Sequence, residues 1–320
     1  MHILLFMCFL SVCLQIIVII YALRYVRRHA SECYMHIFLL NMTLADFMLT
    51  GYTNFYLQFF GVALPMEFLI DMETIRIQFS YHVNLMMHFL LWLGTSVSGL
   101  SLVLLNIDKL IFFKFPLRYA ELITRNRAYL MACSTWILST LFIYLAFHTR
   151  ALICRYNCER LTTDNSRYGP LMYLLFTFFV SAFPALSSLM VALYLLRIVN
   201  MHKKHIAEEQ KLYAISGSRK STAIKSGMRT FYFIFISTIF TVLTLTPYRL
   251  VTLYRTIIDK DTEIRTCISV FISILTYYAM DLNPILNPLL TVTVLPQYRI
   301  RCLDFLIHLK RRNNDKMIEK

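Results

Sequence analysis

Charged side chains within long apolar stretches are the residues of this sequence whose chemistry most needs an explanation. Asp46 stands in LLNMTLADF, Arg249 directly follows Pro247 and Tyr248, and Asp281 stands in MDLNPILNP. A charge inside an apolar membrane segment is costly, so it faces the protein interior and either serves a function or pairs with another charge. Arg249 and Asp281 lie on neighbouring segments and are expected either to form a structural ion pair or to contact a charged ligand.

Three polar residues on different segments predict a shared buried cluster. Asp46, Ser98 and Asn287 reach a comparable depth if the segments cross a membrane in alternating directions. Carboxylate, hydroxyl and amide oxygens are the hard donors that hold a small cation together with waters. A hydrogen-bonded cluster without any ion satisfies the same groups, so both interpretations stand at this point.

Sequence patterns typical of catalysis are not found. The sequence has no Gly-rich phosphate loop, no His-x-x-x-His arrangement of a metal hydrolase and no convincing nucleophile–base pair. We therefore expect no enzyme activity, and no cofactor apart from a bound cation.

The elements that must position these residues are long apolar helices. The chain of 320 residues is 58% hydrophobic and 16% charged with only 7 glycines, which is not a soluble composition. A run of about 20 apolar residues is needed to cross a bilayer. Seven such runs are found, near residues 3–23, 36–60, 81–113, 127–148, 171–199, 231–257 and 267–295. The prediction is an all-α membrane protein, a bundle of seven transmembrane helices within residues 1–310.

The formal net charge of +14 is distributed over alternate loops. The loops after the first, third and fifth runs and the carboxyl-terminal tail are rich in lysine and arginine, whereas the other loops are poorer. By the positive-inside rule the amino terminus is outside and the carboxyl terminus is cytoplasmic, so nucleic-acid binding is not needed to explain the charge. Cys154 and Cys158 share an outer loop, where an oxidising environment permits a local disulfide.

Prolines and an amphipathic segment complete the predicted architecture. Pro184, Pro247, Pro284 and Pro288 each remove a backbone donor inside an apolar run, which predicts kinks that act as hinges or stay static. Residues 297–310 alternate leucines with basic residues, as a short helix on the membrane surface does. Residues 311–320 then form a cytoplasmic tail.

These motifs, in this order, resemble the rhodopsin-like G-protein-coupled receptors over most of the chain, from about residue 38 to residue 299. The resemblance rests on LNMTLAD in the second run, IDK followed by PLRY after the third, Trp136 in the fourth, prolines in the fifth and sixth, and Asn-Pro in the seventh. It implies a sodium site at Asp46, Ser98 and Asn287. It also implies a G-protein switch built from Asp108, Lys109, Pro247, Asn287 and Pro288.

The sequence departs from the family pattern at the switch. Lys109 replaces the family's arginine, Leu110 the tyrosine after it, and Thr291 the tyrosine that ends Asn-Pro-x-x-Tyr. Lysine keeps the positive charge but lacks the planar fork of donors, so coupling to a G protein is expected to be weak, altered or absent. Four further departures are Leu245 for the sixth-helix tryptophan, Asn84 for the outer third-helix cysteine, Leu91 for the amine-binding aspartate, and Val18 or a neighbour for the first-helix asparagine.

The resemblance implies a plasma-membrane receptor that signals through a heterotrimeric G protein. A small-molecule or peptide ligand would bind among the outer halves of the helices, near Leu91, Trp92, Tyr248, Arg249, Tyr277 and Asp281. Its binding would favour a state in which the sixth helix swings about Pro247 and opens a cytoplasmic cleft beside Lys109. Two alternatives stay open, a seven-helix transporter or channel lined by the same charges and a receptor fold that does not couple to G proteins.

Overall fold

The computed structural model describes residues 2–27, 33–54, 81–115, 117–155, 158, 160–162, 169–212, 220–257 and 267–298. The described part of the chain contains nine α-helices: α1 (His2–Arg27), α2 (Cys33–Met48), α3 (Tyr81–Lys114), α4 (Tyr119–Leu122), α5 (Arg125–His148), α6 (Gly169–Thr177), α7 (Phe183–Leu212), α8 (Lys220–Ile257) and α9 (Cys267–Val294). A single 3₁₀ turn, Pro296–Tyr298, follows α9. The predicted surface helix beyond residue 298 and the tail 311–320 lie outside the described residues.

Five of the described helical stretches are long and apolar enough to cross a membrane. They are Phe6–Arg27, Tyr81–Lys114, Arg125–His148, Gly169–Met201 and Thr230–Val251. They coincide with the predicted first, third, fourth, fifth and sixth runs. Helices α2 and α9 lie at the predicted second and seventh runs but are not among these five, so the count of seven crossings stays a prediction.

The outer surface of α5 is apolar and its inner surface is small or polar. The outward-facing side chains Leu130, Ile137, Leu141 and Tyr144 are 70%, 66%, 52% and 62% exposed. The buried face of the same helix carries Ala128, Ala132, Thr135, Ser139, Ile143 and Ala146. Apolar residues outside and small or hydroxyl residues between helices are typical of a bundle that packs within lipid.

Helix α3 is the centre of the bundle and packs against α2, α5 and α7. Two glycines allow its close approach to neighbours. A Cβ on Gly94 would lie 2.6 Å from Cγ of Leu49, and one on Gly99 would lie 3.1 Å from Cβ of Pro184. These contacts fix the depth of α3 relative to the second and fifth segments, because a larger side chain would push the helices apart.

The helices accommodate the predicted proline positions in two ways. Before Pro184 the chain forms a π-helical turn, Phe178–Ala182, so the extra residue sits where a proline ring would clash with the preceding carbonyl. Helix α8 continues through Pro247, and α9 continues through Pro284 and Pro288. A second π-helical stretch, Leu49–Asn54, extends α2.

The outer loop between the fourth and fifth segments holds the strands that the structure describes. Strands β1 (Ile153–Arg155) and β2 (Arg160–Thr162) pair antiparallel, with Cys154 opposite Leu161. Cys154 and Cys158 form the local disulfide that the sequence permits. Nε2 of His88, on α3, lies 3.0 Å from the carbonyl of Cys158, so this loop lies against the outer end of α3.

Candidate functional site

The predicted cluster around Asp46 is present and draws three helices together. The carboxylate is 1% exposed. Ser98 of α3 donates its hydroxyl to Oδ1 at 2.6 Å, and Asn287 of α9 donates its amide to Oδ2 at 2.8 Å. The three residues that the sequence predicted to meet are therefore in contact, although Asp46 and Asn287 are 241 positions apart.

The amide of Asn287 also connects this cluster to α8. Its oxygen accepts from the hydroxyl of Ser237 at 3.2 Å. One turn outward, the hydroxyl of Thr241 donates to the side-chain oxygen of Asn283 at 3.0 Å. Asn287 therefore presents a donor to Asp46 rather than the oxygen ligand that the sequence suggested, and its role is to connect α2 with α8.

A small cavity adjoins the cluster on its outer side. It has a volume of about 30 Å³, enough for one or two water molecules. Apolar and polar side chains alternate around it, namely Leu49, Leu91, Thr95, Ser98, Gly99, Thr241, Leu245, Met280, Asn283 and Pro284. Leu245, which replaces the family's tryptophan, forms part of this wall.

The chemistry of the residues at this position fits a sodium ion. Each oxygen of the Asp46 carboxylate accepts one hydrogen bond, and a carboxylate oxygen has a second lone pair for a further partner. The adjoining cavity supplies space for water, and the hydroxyl of Ser98 lies beside it. Asp46 and Ser98 would hold the ion, which would bring a positive charge to an otherwise uncompensated carboxylate.

The proline-containing part of α9 is linked to α1. Because Pro288 has no N–H, the carbonyl of Pro284 one turn earlier has no donor within its own helix. Gln15 donates its amide to this carbonyl at 2.9 Å, and Ser11 donates its hydroxyl at 3.1 Å. Gln15 also donates to Thr50 at 3.2 Å. The sequence has Val18 or a neighbour where the family's first helix carries asparagine, and in the structure Gln15 and Ser11 of this helix make polar contacts with α9.

The predicted switch pair lies near the carboxyl-terminal end of α3. Nζ of Lys109 is 3.3 Å from Oδ2 of Asp108, and both side chains are almost fully buried. The phenol of Tyr119, from the PLRY motif, donates to Oδ1 of Asp108 at 2.8 Å. Nζ of Lys109 also lies 5.5 Å from the ring centre of Phe112. Asp108 thus holds both Lys109 and the loop that follows α3.

Two polar groups that sequence reasoning did not select join further helices. Asn106 of α3 donates to Ser188 of α7 at 2.6 Å and to Thr238 of α8 at 3.0 Å. Asn41 of α2 accepts from Nε1 of Trp136 at 2.7 Å. A buried amide in an apolar run signals such a role, but the sequence does not say which helices it joins.

The predicted ligand region is described in part. Arg249 is 5% exposed, and its Cζ lies 4.1 Å from the ring centre of Trp92 and 5.4 Å from that of Tyr248. Leu91 lines the cavity. The side chains of Tyr277 and Asp281 lie outside the described residues, so the predicted Arg249–Asp281 pair stays a prediction.

Metal ligands of the His, Cys, Asp and Glu type do not cluster in the part of the chain that the structure describes.

Thr291 stands at the switch position where the family has a tyrosine. Its hydroxyl donates to the carbonyl of Asn287 within α9 at 2.8 Å. The threonine side chain is shorter than a tyrosine and is bonded within its own helix.

Comparison with known proteins agrees with this geometry. Residues 4–290 match the 7 transmembrane receptor (rhodopsin family). The chain is also similar to the G-protein coupled receptor aex-2 of Caenorhabditis elegans, with 26% identity over 246 residues, covering 74% of this chain and 68% of that protein. The match favours a receptor over a transporter or channel, and receptors of this family are generally not enzymes. The chain belongs to the rhodopsin family of seven-transmembrane receptors.

Proposed function

We propose that this chain is a plasma-membrane receptor that binds an extracellular ligand and activates a heterotrimeric G protein at its cytoplasmic end. Family membership supports the receptor class, and the similar worm protein is named as a G-protein coupled receptor. The basic loops and tail support an outside amino terminus and a cytoplasmic carboxyl terminus. The proposed ligand contacts are Leu91, Trp92, Tyr248, Arg249, Tyr277 and Asp281.

The observation that carries the proposal is the way in which α8 is held. Three side-chain hydrogen bonds tie its cytoplasmic half to α3 and α9, from Ser237 to Asn287, from Thr241 to Asn283 and from Asn106 to Thr238. Interhelical hydrogen bonds in membranes contribute about 0.6 kcal/mol each, so the three hold α8 by about 2 kcal/mol. A ligand with a roughly twentyfold preference for a swung α8 offsets this energy.

The mechanism follows from the positions of these bonds relative to Pro247. All three lie on the cytoplasmic side of the proline, where the helix has lost a backbone hydrogen bond. A ligand that contacts Tyr248 or Arg249 on the other side of Pro247 changes the preferred angle of the helix. Movement of the cytoplasmic half then separates α8 from α3 and exposes Lys109 to a G protein.

Nucleotide exchange by purified G proteins tests this proposal without a known ligand. The full chain in lipid nanodiscs is compared with Lys109→Arg, which restores the planar fork of donors. We expect basal exchange to rise several-fold in Lys109→Arg. Lys114→Arg is the matched control, since Lys114 is exposed on the same helix, and it should leave exchange unchanged. Failure of every G-protein class to respond to both the wild type and Lys109→Arg would refute coupling.

A receptor that does not couple is the second candidate, and a specific observation favours it. Lys109 contacts the adjacent Asp108, and Thr291 bonds within its own helix. Neither residue supplies the arginine guanidinium or the tyrosine phenol that family members use to engage a G protein. The same exchange experiment separates the two candidates, because a receptor of this second type stays silent even with arginine at position 109.

We also propose that Na⁺ binds at Asp46 and Ser98 and favours the closed arrangement. The two groups and the neighbouring cavity support this proposal. Replacing K⁺ by Na⁺ at equal ionic strength should raise the thermal unfolding midpoint of the purified chain, and Asp46→Asn should abolish the difference. Asp108→Asn serves as the control, since its carboxylate lies near the carboxyl-terminal end of α3, whereas Ser98 lies in the middle of that helix. An equal response to both cations in the wild type would contradict the proposal.

A further inference from the structure

Arg249 is a buried cation whose hydrogen-bonding capacity is only partly used. It lies on α8 two residues after Pro247 and is 5% exposed. Its Nε and Nη2 atoms are buried and have no hydrogen-bond partner among the described residues. Leaving donors of a buried charged group without acceptors is costly, so this arrangement indicates a partner that the described residues do not supply.

The two nitrogen atoms without a partner lie on the same edge of the guanidinium. Nε and Nη2 form one edge of the guanidinium plane, and their N–H bonds point in the same direction. This edge binds the two oxygens of a carboxylate through parallel hydrogen bonds. A single carbonyl oxygen would have to be shared by the two donors, whereas a carboxylate gives each donor an oxygen of its own.

Aromatic rings lie close to the guanidinium of Arg249 but do not satisfy its N–H groups. Cζ of Arg249 lies 4.1 Å from the centre of the Trp92 ring, a distance at which a cation is attracted to the face of the indole. Trp92 is held in turn by Phe176 of α6, whose ring packs edge-on at 4.7 Å. Stacking compensates the flat face of the cation, but it supplies no acceptor for the N–H groups.

Arg249 lies near the residues that line the existing cavity, although it is not itself one of them. Leu245 and Thr241, which line the cavity, precede Arg249 by one and two turns of α8. Leu91, the residue before Trp92, lines the cavity from α3. The residues within two turns of Arg249 on α8 are therefore partly apolar, as an environment for the organic part of a ligand requires.

We infer that Arg249 is the anion-binding residue of the ligand site and that the ligand carries a carboxylate, bound side-on by Nε and Nη2. A small organic carboxylate brings one negative charge to one buried positive charge. A doubly charged phosphate would leave an excess negative charge in an apolar environment. This inference rests on the proposed receptor function and names the chemical class that the receptor recognises.

Fluorescence of Trp92 gives a direct measurement of occupancy. The chain contains two tryptophans, so Trp136→Phe leaves Trp92 as the only one. The full chain in nanodiscs is titrated with butyrate, hexanoate and phenylacetate, with the amide and amine analogue of each, and with inorganic phosphate. We expect a saturable change in Trp92 emission with the carboxylates alone.

Variants of Arg249 test which atoms bind. Arg249→Lys keeps the charge and loses the fork, and should weaken carboxylate binding about tenfold or more. Arg249→Gln should abolish it. Arg125→Lys is the matched control, because Arg125 lies over the ring of Tyr129 at 5.6 Å but at the start of α5, and should bind as the wild type does. Size-exclusion profiles identify any variant that fails to fold, and Arg249→Lys then carries the test.

Three results would overturn the inference. The first is that no carboxylate changes the emission of Trp92. The second is that a carboxylate binds Arg249→Gln as tightly as the wild type, or that phosphate binds more tightly than every carboxylate. The third is that Arg249→Gln and Asp281→Asn lower the thermal midpoint equally and the double variant lowers it no further, which would make Asp281 the partner of the guanidinium.

The inference and the proposed function fail in different experiments. Carboxylate binding is measured on the receptor alone, without a G protein. If carboxylates bind but no nucleotide exchange follows in any variant, the inference stands and the coupling proposal fails. If exchange occurs and carboxylates do not bind, the receptor function stands and the inference fails.

Discussion

Asp46 and Arg249 are buried side chains of opposite charge at different depths of one bundle, and they differ in their hydrogen bonding. Both oxygens of the Asp46 carboxylate have donors from neighbouring helices. Two nitrogens of Arg249 have no acceptor among the described residues. A buried charge with hydrogen-bond partners on other helices holds those helices together. A buried charge without such partners creates an affinity for an additional group. Burial alone therefore does not define the role of a charge.

The largest effect is expected from breaking the partnered charge. Asp46→Ala leaves the hydroxyl of Ser98 and the amide of Asn287 without their acceptor, and should lower the free energy of unfolding by about 3 kcal/mol. Thermal unfolding of the purified receptor measures the loss. Leu44→Ala, at an exposed position of the same helix, is the control. A loss no greater than that of Leu44→Ala would show that the cluster does not hold the helices together.

An intermediate effect is expected at Asn106, a buried polar residue that, like Asp46, has hydrogen-bond partners on other helices. Asn106→Ala removes the hydrogen bonds to Ser188 and Thr238 and should cost about 1 kcal/mol. Because one of these bonds holds the cytoplasmic half of α8, basal nucleotide exchange should rise in the same variant. Lower stability with unchanged exchange in a receptor that couples would mean that Asn106 is only a packing residue.

The smallest effect on stability, and one of opposite sign, is expected at Arg249. Arg249→Met removes a buried charge and fills its space with an apolar side chain, which should raise the free energy of unfolding by up to about 1 kcal/mol. The loss of the contact with Trp92 reduces the gain. Arg125→Met should have no such effect. A marked loss of stability in Arg249→Met would place Arg249 with the partnered charges and remove the contrast between the two regions.

Much of the fold could be predicted from the sequence because membrane helices follow from the length of apolar runs. The association of Asp46, Ser98 and Asn287 was predictable for a related reason, since charged and polar groups in such runs must face inward. The stacking of Arg249 on Trp92 was not predicted, although both residues were assigned to the ligand region. Which side chains meet depends on the rotation and depth of each helix, and close contacts such as that of Gly94 with Leu49 set these.

Other details depended on information that local spacing does not contain. Nothing near Asn106 in the sequence indicates that α7 and α8 both supply its partners. The family's first-helix asparagine is missing at Val18 or a neighbour, and the sequence did not indicate that Gln15 would reach Thr50 and Pro284. The direction of the Asn287 amide is set by Ser237, a residue from another helix.

The bond between Gln15 and the carbonyl of Pro284 joins residues that are 269 positions apart, and this has a consequence for biosynthesis. The first helix enters the membrane long before the last one is translated, so Gln15 and Ser11 have to wait for their acceptor. We expect chains that stop before α9 to be degraded faster than the same truncated chains with Gln15→Leu and Ser11→Ala, as pulse-chase labelling would measure. The polar groups of α1 are thus satisfied only after α9 has packed against them.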